Sequence, residues 1–156
     1  MLEHSGFPAG SRILDMGAGA GETVQLLREL GYAAVGIDIS PRCETVQKVD
    51  FLHSGLKSGS FDGIISQCSF FISGDVQRAF EESCRLLKPG GILAYSDVCT
   101  EDIFAVSERA GFRLVYSENL TDEWREYYID ALWRGDCDYM PMNKKCGYYM
   151  LIFRKE

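Results

Sequence analysis

Ile13-Leu14-Asp15-Met16-Gly17-Ala18-Gly19-Ala20-Gly21-Glu22 is the stretch whose reading decides the fold. Residues 12–15 read as the end of a buried strand, and the alternate glycines at 17, 19 and 21 turn the chain into a helix over 22–30. Glycine reaches backbone conformations closed to other residues and lets the chain come close to a bound ligand. The start of the following helix offers unpaired N–H groups to the ligand's polar atoms. A carboxylate, Asp15, stands just before the turn.

Outward from that turn, apolar runs and breakers alternate. Residues 32–38 form a second strand ending in Asp38, 46–50 a third, and 61–67 a fourth. Ser40-Pro41 could open a helix, but the third strand begins too soon after it for a full crossover helix to fit. Asp75 caps a helix over 76–87, whose Val76, Ala79, Phe80, Leu86 and Leu87 share one face. Lys88-Pro89-Gly90-Gly91 stops that helix and makes a tight turn into a fifth strand over 92–98. A helix over 100–110 ends at Gly111, and a sixth strand follows over 112–117. The last third departs from this rhythm. A helix over 121–133, with Thr121 as its cap, carries Trp124, Tyr127, Tyr128, Leu132 and Trp133. An irregular stretch over 135–145 and a final strand over 147–153 close the chain. Strands alternating with helices predict a parallel sheet with helices on both faces.

The 156 residues suit one domain with a sizeable core. Hydrophobic residues make up 46% and charged residues 25%, ordinary values for a water-soluble globular chain. No apolar run reaches the roughly 20 residues of a membrane span. The opening Met1-Leu2-Glu3-His4 shows no signal peptide, so a cytoplasmic location without membrane association is expected. The net charge of −7 disfavours a nucleic-acid partner. Six cysteines, at 43, 68, 84, 99, 137 and 146, include no Cys-x-x-Cys pair and read as reduced thiols.

Asp15 followed by Gly17-x-Gly19-x-Gly21 resembles the first motif of the class I S-adenosylmethionine (SAM)-dependent methyltransferases. A nicotinamide fingerprint would place a third glycine at position 22, where Glu22 stands and would repel a pyrophosphate. Asp50 and Asp62 keep the twelve-residue interval of the group that resembles the ubiquinone and menaquinone biosynthesis methyltransferases, and 86–93 (Leu-Leu-Lys-Pro-Gly-Gly-Ile-Leu) is similar to the same group. The resemblance covers about residues 11 to 117 as an ordered set of motifs.

That resemblance implies an α/β, Rossmann-like seven-stranded sheet in the order 3-2-1-4-5-7-6. Here it has a reduced N-terminal cap and a shortened segment after strand 2. It implies an enzyme, a SAM-dependent methyltransferase acting on a small-molecule acceptor. The cofactor-binding residues expected are Asp15, Met16, Gly17, Ala18, Gly19, Asp38, Ile39, Asp50, Phe51, Gln67 and Cys68. Asp38 would accept the ribose hydroxyls and Asp50 the adenine amino group, with the Phe51 N–H at the ring. Gln67-Cys68-Ser69 lies beside the transferred methyl in such enzymes and lacks the Pro-Pro-aromatic signature of nucleic-acid amino methylases.

Three readings stay open beside this one. The chain could be a degenerate SAM-binding regulatory module without catalysis. It could be an arsenite- or thiol-type methyltransferase if Cys68, Cys137 and Cys146 converge. Third, the aromatic segment is either a stripe packed on the sheet edge or in a homodimer interface, or a lid formed by residues 121–145 within a single domain over 1–156. His4 and His53 read as surface residues. No metal ligand set and no general base is assigned.

Overall fold

The computed structural model describes residues 1–99, 103–136 and 146–156. Its elements run α1 (Leu2–Ser5), β1 (Arg12–Met16), α2 (Glu22–Glu29), β2 (Ala33–Asp38), β3 (Val46–Lys48), a 3-10 turn (Phe51–His53), β4 (Phe61–Gln67), α3 (Phe70–Ser73), α4 (Val76–Leu86), β5 (Leu87–Cys99), α5 (Ile103–Arg109), β6 (Phe112–Asn119), α6 (Thr121–Arg134) and β7 (Gly147–Lys155). The seven strands form one sheet in the order β3-β2-β1-β4-β5-β7-β6, as the resemblance implied. The first five run parallel, whereas β7 lies antiparallel between β5 and β6.

Strand sequences show why both faces are covered. Ile13, Ile65, Ala94 and Ile152 pack on one side with Val24 and Leu27 of α2 and with Phe7. Their neighbours Leu14, Ile64, Leu93, Leu151 and Phe153 pack on the other with Ala79, Phe80 and Leu86 of α4. Consecutive apolar residues pointing to opposite faces are what a doubly covered sheet requires. Phe80 sits at the middle of the second layer, with ring centroids 5.4 Å from Phe70, 5.4 Å from Tyr95, 6.0 Å from Phe112 and 5.5 Å from Phe153.

The connection between β2 and β3 contains no helix, in agreement with the short spacing. Parallel neighbours usually need a dozen or more connecting residues. Here Asp38 Oδ1 accepts from the Ser40 N–H at 2.7 Å, and the Arg42 N–H donates to Gly19 O at 2.9 Å. The segment is thereby folded back onto the glycine turn.

Several expectations change. Residues 88–91 are not a turn between helix and strand. They are an irregular start of β5, in which Leu87 pairs with Phe61, and the regular register resumes at Ile92 opposite Gly63. Gly90 takes φ +74° to make this possible. Thr121 is not a helix cap: the cap position of α6 is Leu120, with no side-chain cap bond. The Thr121 hydroxyl instead bonds to Asn119 Oδ1 and accepts from the Tyr148 N–H at 3.0 Å, tying the start of α6 to β7. Two one-turn helices, α1 and α3, had no clear signal because neither is long enough to show periodicity. The first residues of the helix expected over 100–110, and most of the stretch 135–145 including Cys137, lie outside the described residues. Among the described residues, no helix is long and apolar enough to cross a membrane.

Candidate active site

The carboxyl ends of β1, β2 and β4 meet around the glycine turn. The N–H groups of Gly17 and Ala18 donate to Ile37 O at 2.9 and 3.0 Å, fixing the turn to the end of β2. Gly17 has φ +86°, and a Cβ there would lie 2.0 Å from Ser69 Oγ. Only glycine satisfies both constraints. Gly19 has φ +50°, and its N–H donates to Asp38 Oδ2 at 2.9 Å.

A cavity of about 350 Å³ opens beside this turn, within the range of small-ligand sites. Of the residues expected from sequence, Gly17, Asp38, Ile39, Asp50 and Phe51 line it. Leu52, Ser69, Ile72 and Ser73 also line it and were not nominated. Ser69 was adjacent to a nominated pair, but Ile72 and Ser73 arrive through α3, which the sequence did not announce. Asp50 accepts from the Leu52 N–H at 2.9 Å and caps the 3-10 turn that swings Phe51 and Leu52 to the cavity. The wall thus combines two carboxylates with the apolar edges of Ile39, Phe51, Leu52 and Ile72.

The remaining nominated residues lie around this cavity rather than in its lining. Asp15 is buried beneath the turn. Burial first, and the Asp38 carboxylate second, push its pKa up to about 7. The Met16 side chain is fully buried, with the Ser83 hydroxyl 3.4 Å from its sulfur, and Ala18 packs in the core layer beside α2. Gln67 is exposed and accepts from Thr23 Oγ1 at 3.2 Å.

Cys68 faces a different cavity, of about 340 Å³, lined also by Leu120, Glu123, Trp124, Tyr127, Tyr128 and Tyr148. It is the one described non-glycine residue with positive φ, at 52°. Such a conformation is costly and concentrates at functional sites. Its N–H donates to Ser96 O at 2.8 Å, and its sulfur lies 3.2 Å from the Tyr148 hydroxyl, to which Ser96 Oγ donates at 2.7 Å. Desolvation raises the Cys68 pKa, so the thiol stays protonated near neutrality. Ser69 in the first cavity and Cys68 in the second are consecutive, so one segment at the end of β4 contributes to both linings.

The cysteine convergence is not seen among the described residues. Cys146 lines a third depression with Asn119, Asp122 and Arg125, apart from Cys68, and Cys137 lies outside the described set. No group of three or more metal-binding side chains occurs among the described residues. His4 stacks on Tyr116 at 4.1 Å, and His53 pairs with Asp50 at 3.4 Å.

Residues 14–95 match the family model of the methyltransferase domain. The chain belongs to that methyltransferase family. The matched span runs from β1 into β5 and holds every residue of the first cavity. Among characterised relatives, the chain is 32% identical over 114 residues to an arsenite methyltransferase of Aquipseudomonas alcaligenes, covering 57% of this chain and 33% of that protein. It is 34% identical over 100 residues to a demethylmenaquinone methyltransferase of Tropheryma whipplei, covering 56% of this chain and 42% of that protein. The chain therefore spans a third to two fifths of the length of these relatives. Its fold is similar to that of phosphoethanolamine N-methyltransferase 2 of Haemonchus contortus in complex with SAM, with a TM-score of 0.76 and 18% identity over 99% of this chain and 51% of that one. The methyltransferase fold, with β7 antiparallel inside the sheet, is thus established by both sequence and architecture.

Proposed function

We propose that this methyltransferase domain binds SAM in the cavity beside the glycine turn and transfers its methyl group to a small-molecule acceptor. The observation that carries the reading is the placement of Ser69 and Cys68. One lines a cavity suited to a nucleoside, and the next lines a second cavity that an acceptor can enter. Methyl transfer needs two such compartments meeting at the reacting atoms.

The first cavity suits SAM chemically. Asp38 and Asp50 keep lone pairs beyond those used by Gly19, Ser40 and Leu52, which suits ribose hydroxyls and an adenine amino group. Ile39, Phe51, Leu52 and Ile72 offer apolar edges to a flat ring. The buried Asp15 carboxyl, two residues before Gly17, has no side-chain hydrogen bond among the described residues, so the ammonium of a methionine moiety is the kind of partner that would ionise it. SAM supplies a sulfonium-activated methyl, and the protein's part is to bind, orient and exclude water. Residues 1–156 act as one domain, in which Met16 and Ala18 hold the turn from the core side, Gln67 accepts from Thr23 at the end of β4, and Cys68 faces the acceptor cavity.

Isothermal calorimetry with the demethylated product S-adenosylhomocysteine (SAH) tests the reading, followed by transfer of labelled methyl from SAM to small-molecule fractions. Saturable SAH binding that Asp38→Asn weakens supports it. Absence of SAH binding to folded protein overturns it.

A further inference from the structure

The second cavity is an open-sided box whose four aromatic rings pack against one another. The Trp124 and Tyr148 rings lie 5.9 Å apart and nearly parallel, at 14°. Tyr128 stands against Trp124 at 5.4 Å and 69°, and Tyr127 stands against Tyr128 at 5.6 Å and 88°. Walls set near right angles make corners in which one guest meets several ring surfaces. Glu123 is the charged residue on the lining, and no Lys or Arg lines the cavity among the described residues. Aromatic faces carry partial negative charge and attract cations, especially those with methylated nitrogen.

We propose that the acceptor is a small aliphatic amine, held in this box so that its nitrogen gains positive charge as it gains the methyl group. The inference rests on the methyl-transfer reading above and names its substrate class. In the step, the neutral nitrogen's lone pair bonds to the methyl carbon while the carbon–sulfur bond breaks and its electron pair stays on sulfur. Charge passes from sulfur to nitrogen. An acceptor that arrives as an ammonium loses its proton to water first, and a primary or secondary amine loses one afterwards. The rings and Glu123 favour the charged nitrogen of the product side over the neutral nitrogen of the reactant, which is the difference that accelerates a reaction. An alcohol or thiol acceptor would end neutral and gain nothing from the box, and a carboxylate would be repelled by it.

The chain has two tryptophans, and Trp133→Phe leaves Trp124 as the sole reporter. In that background we expect choline to quench Trp124 fluorescence saturably, and its uncharged tert-butyl analogue to bind at least about 10-fold more weakly. Tyr127→Leu should weaken choline binding by about 3- to 20-fold and leave the SAH dissociation constant within about 2-fold. Tyr127 is well exposed, so this variant carries little folding risk. Equal binding of choline and the uncharged analogue would overturn the proposal. Methyl transfer to phenols or thiols with none to a panel of primary, secondary and tertiary amines would also overturn it. Loss of SAH binding in every variant and the parent would instead count against the cofactor reading, while the choline titration still decides what the box prefers.

Discussion

Asp38 holds the glycine turn by its backbone: its Oδ2 accepts from the Gly19 N–H at 2.9 Å, while Oδ1 accepts from the Ser40 N–H at 2.7 Å. The carboxylate facing the cavity is therefore also the clasp of the turn and of the short β2–β3 connection. Removing it affects both, and two substitutions separate the effects. Asp38→Asn keeps an oxygen for Gly19 and loses the charge. SAH affinity should fall by about 1–3 kcal/mol, with a smaller loss of stability than removal of the whole carboxylate, because the amide nitrogen leaves the Ser40 N–H without its acceptor. Asp38→Ala should show the same loss of affinity plus a lower urea midpoint, because two backbone donors lose their partner. Equal SAH affinity in wild type and both variants would remove Asp38 from the cofactor site.

Gly17 and Gly19 should differ in tolerance although both have positive φ. At Gly17 a Cβ meets Ser69 Oγ at 2.0 Å and Ser69 Cβ at 2.5 Å, so Gly17→Ala combines backbone strain with a clash. Together these should cost about 2–5 kcal/mol. At Gly19 the nearest atom is the Arg42 guanidinium tip at 2.9 Å, which can swing away. Gly19→Ala should cost only the strain, about 1–2 kcal/mol. The check is a double-mutant cycle in urea: Ser69→Gly should recover part of the loss in Gly17→Ala and none in Gly19→Ala.

These differences show what the sequence could and could not disclose. Strand and helix positions were legible because the apolar periods are long and the breakers sharp, as in 61–67 and 76–86. Asp38, Asp50 and Phe51 were legible as cavity residues because they sit at strand ends that the topology brings together. Ser69, Ile72 and Ser73 were not, because they reach the cavity through one turn of helix with no periodic signal. The aromatic residues of α6 were visible as a group. Their convergence with Tyr148 depends on the Thr121–Tyr148 bond across 27 residues, which no local pattern encodes.

The segment after the 3-10 turn is held by a buried ion pair on α4. Glu82 is nearly inaccessible, accepts from Arg85 at 2.6 and 2.8 Å and from Ser54 Oγ at 2.6 Å, and lies 3.6 Å from Arg78. Arg78 and Arg85 in turn donate to Leu52 O and Leu56 O. Burial pushes the Glu82 carboxyl up, but Arg85 and Ser54 prevail and hold its pKa below the ordinary value. A depressed carboxylate stabilises the fold above its unfolded pKa, and that contribution is lost as pH falls through the folded one. Glu82→Ala should cost about 1–3 kcal/mol at neutral pH, since Arg85 retains some solvent. The loss should shrink below about pH 4, measured by denaturation across pH.

Asp15 has the opposite sign. Its pKa stands at about 7 against an ordinary 3.8, so between those values the folded protein holds a proton that the unfolded chain has released. Stability contributed by this site therefore falls as pH rises through that window and is level above it. Asp15→Asn should flatten this slope and raise the stability of the ligand-free protein by about 1–3 kcal/mol at pH 8. The same variant should bind SAM more weakly, because a neutral amide cannot pair with the ammonium. In wild type, SAM binding near pH 6 should release protons, read from calorimetry in buffers of different ionisation enthalpy, and release should vanish near pH 8.5. A proton balance that is the same at both values would mean that Asp15 is not the ammonium's partner.

The last prediction concerns α6. Only Thr121 and Ala131 of its fourteen residues are buried, while Tyr127, Ile129, Leu132 and Trp133 stand exposed. Its N-terminal end is tied to β7 by the Thr121–Tyr148 bond and by the Trp124 ring on Tyr148. A helix tied to the sheet at its start, with most of its side chains exposed, is suited to a covering element that opens and shuts. We propose that α6 closes over the second cavity when cofactor and acceptor are bound, keeping water from the reacting atoms. Amide hydrogen exchange should then show α6 exchanging faster than α4 in the free protein. Protection of α6 should grow by about 10-fold or more with SAH and choline together, and less with SAH alone. Trp133→Ala, at the exposed C-terminal end, should leave SAH binding unchanged. It should reduce the added protection only if that end lands on the protein. Strong protection of α6 in the free state, at all protein concentrations, would mean a permanently packed helix. Protection that appears only at high protein concentration would mean an interface between two copies, and either result removes the lid.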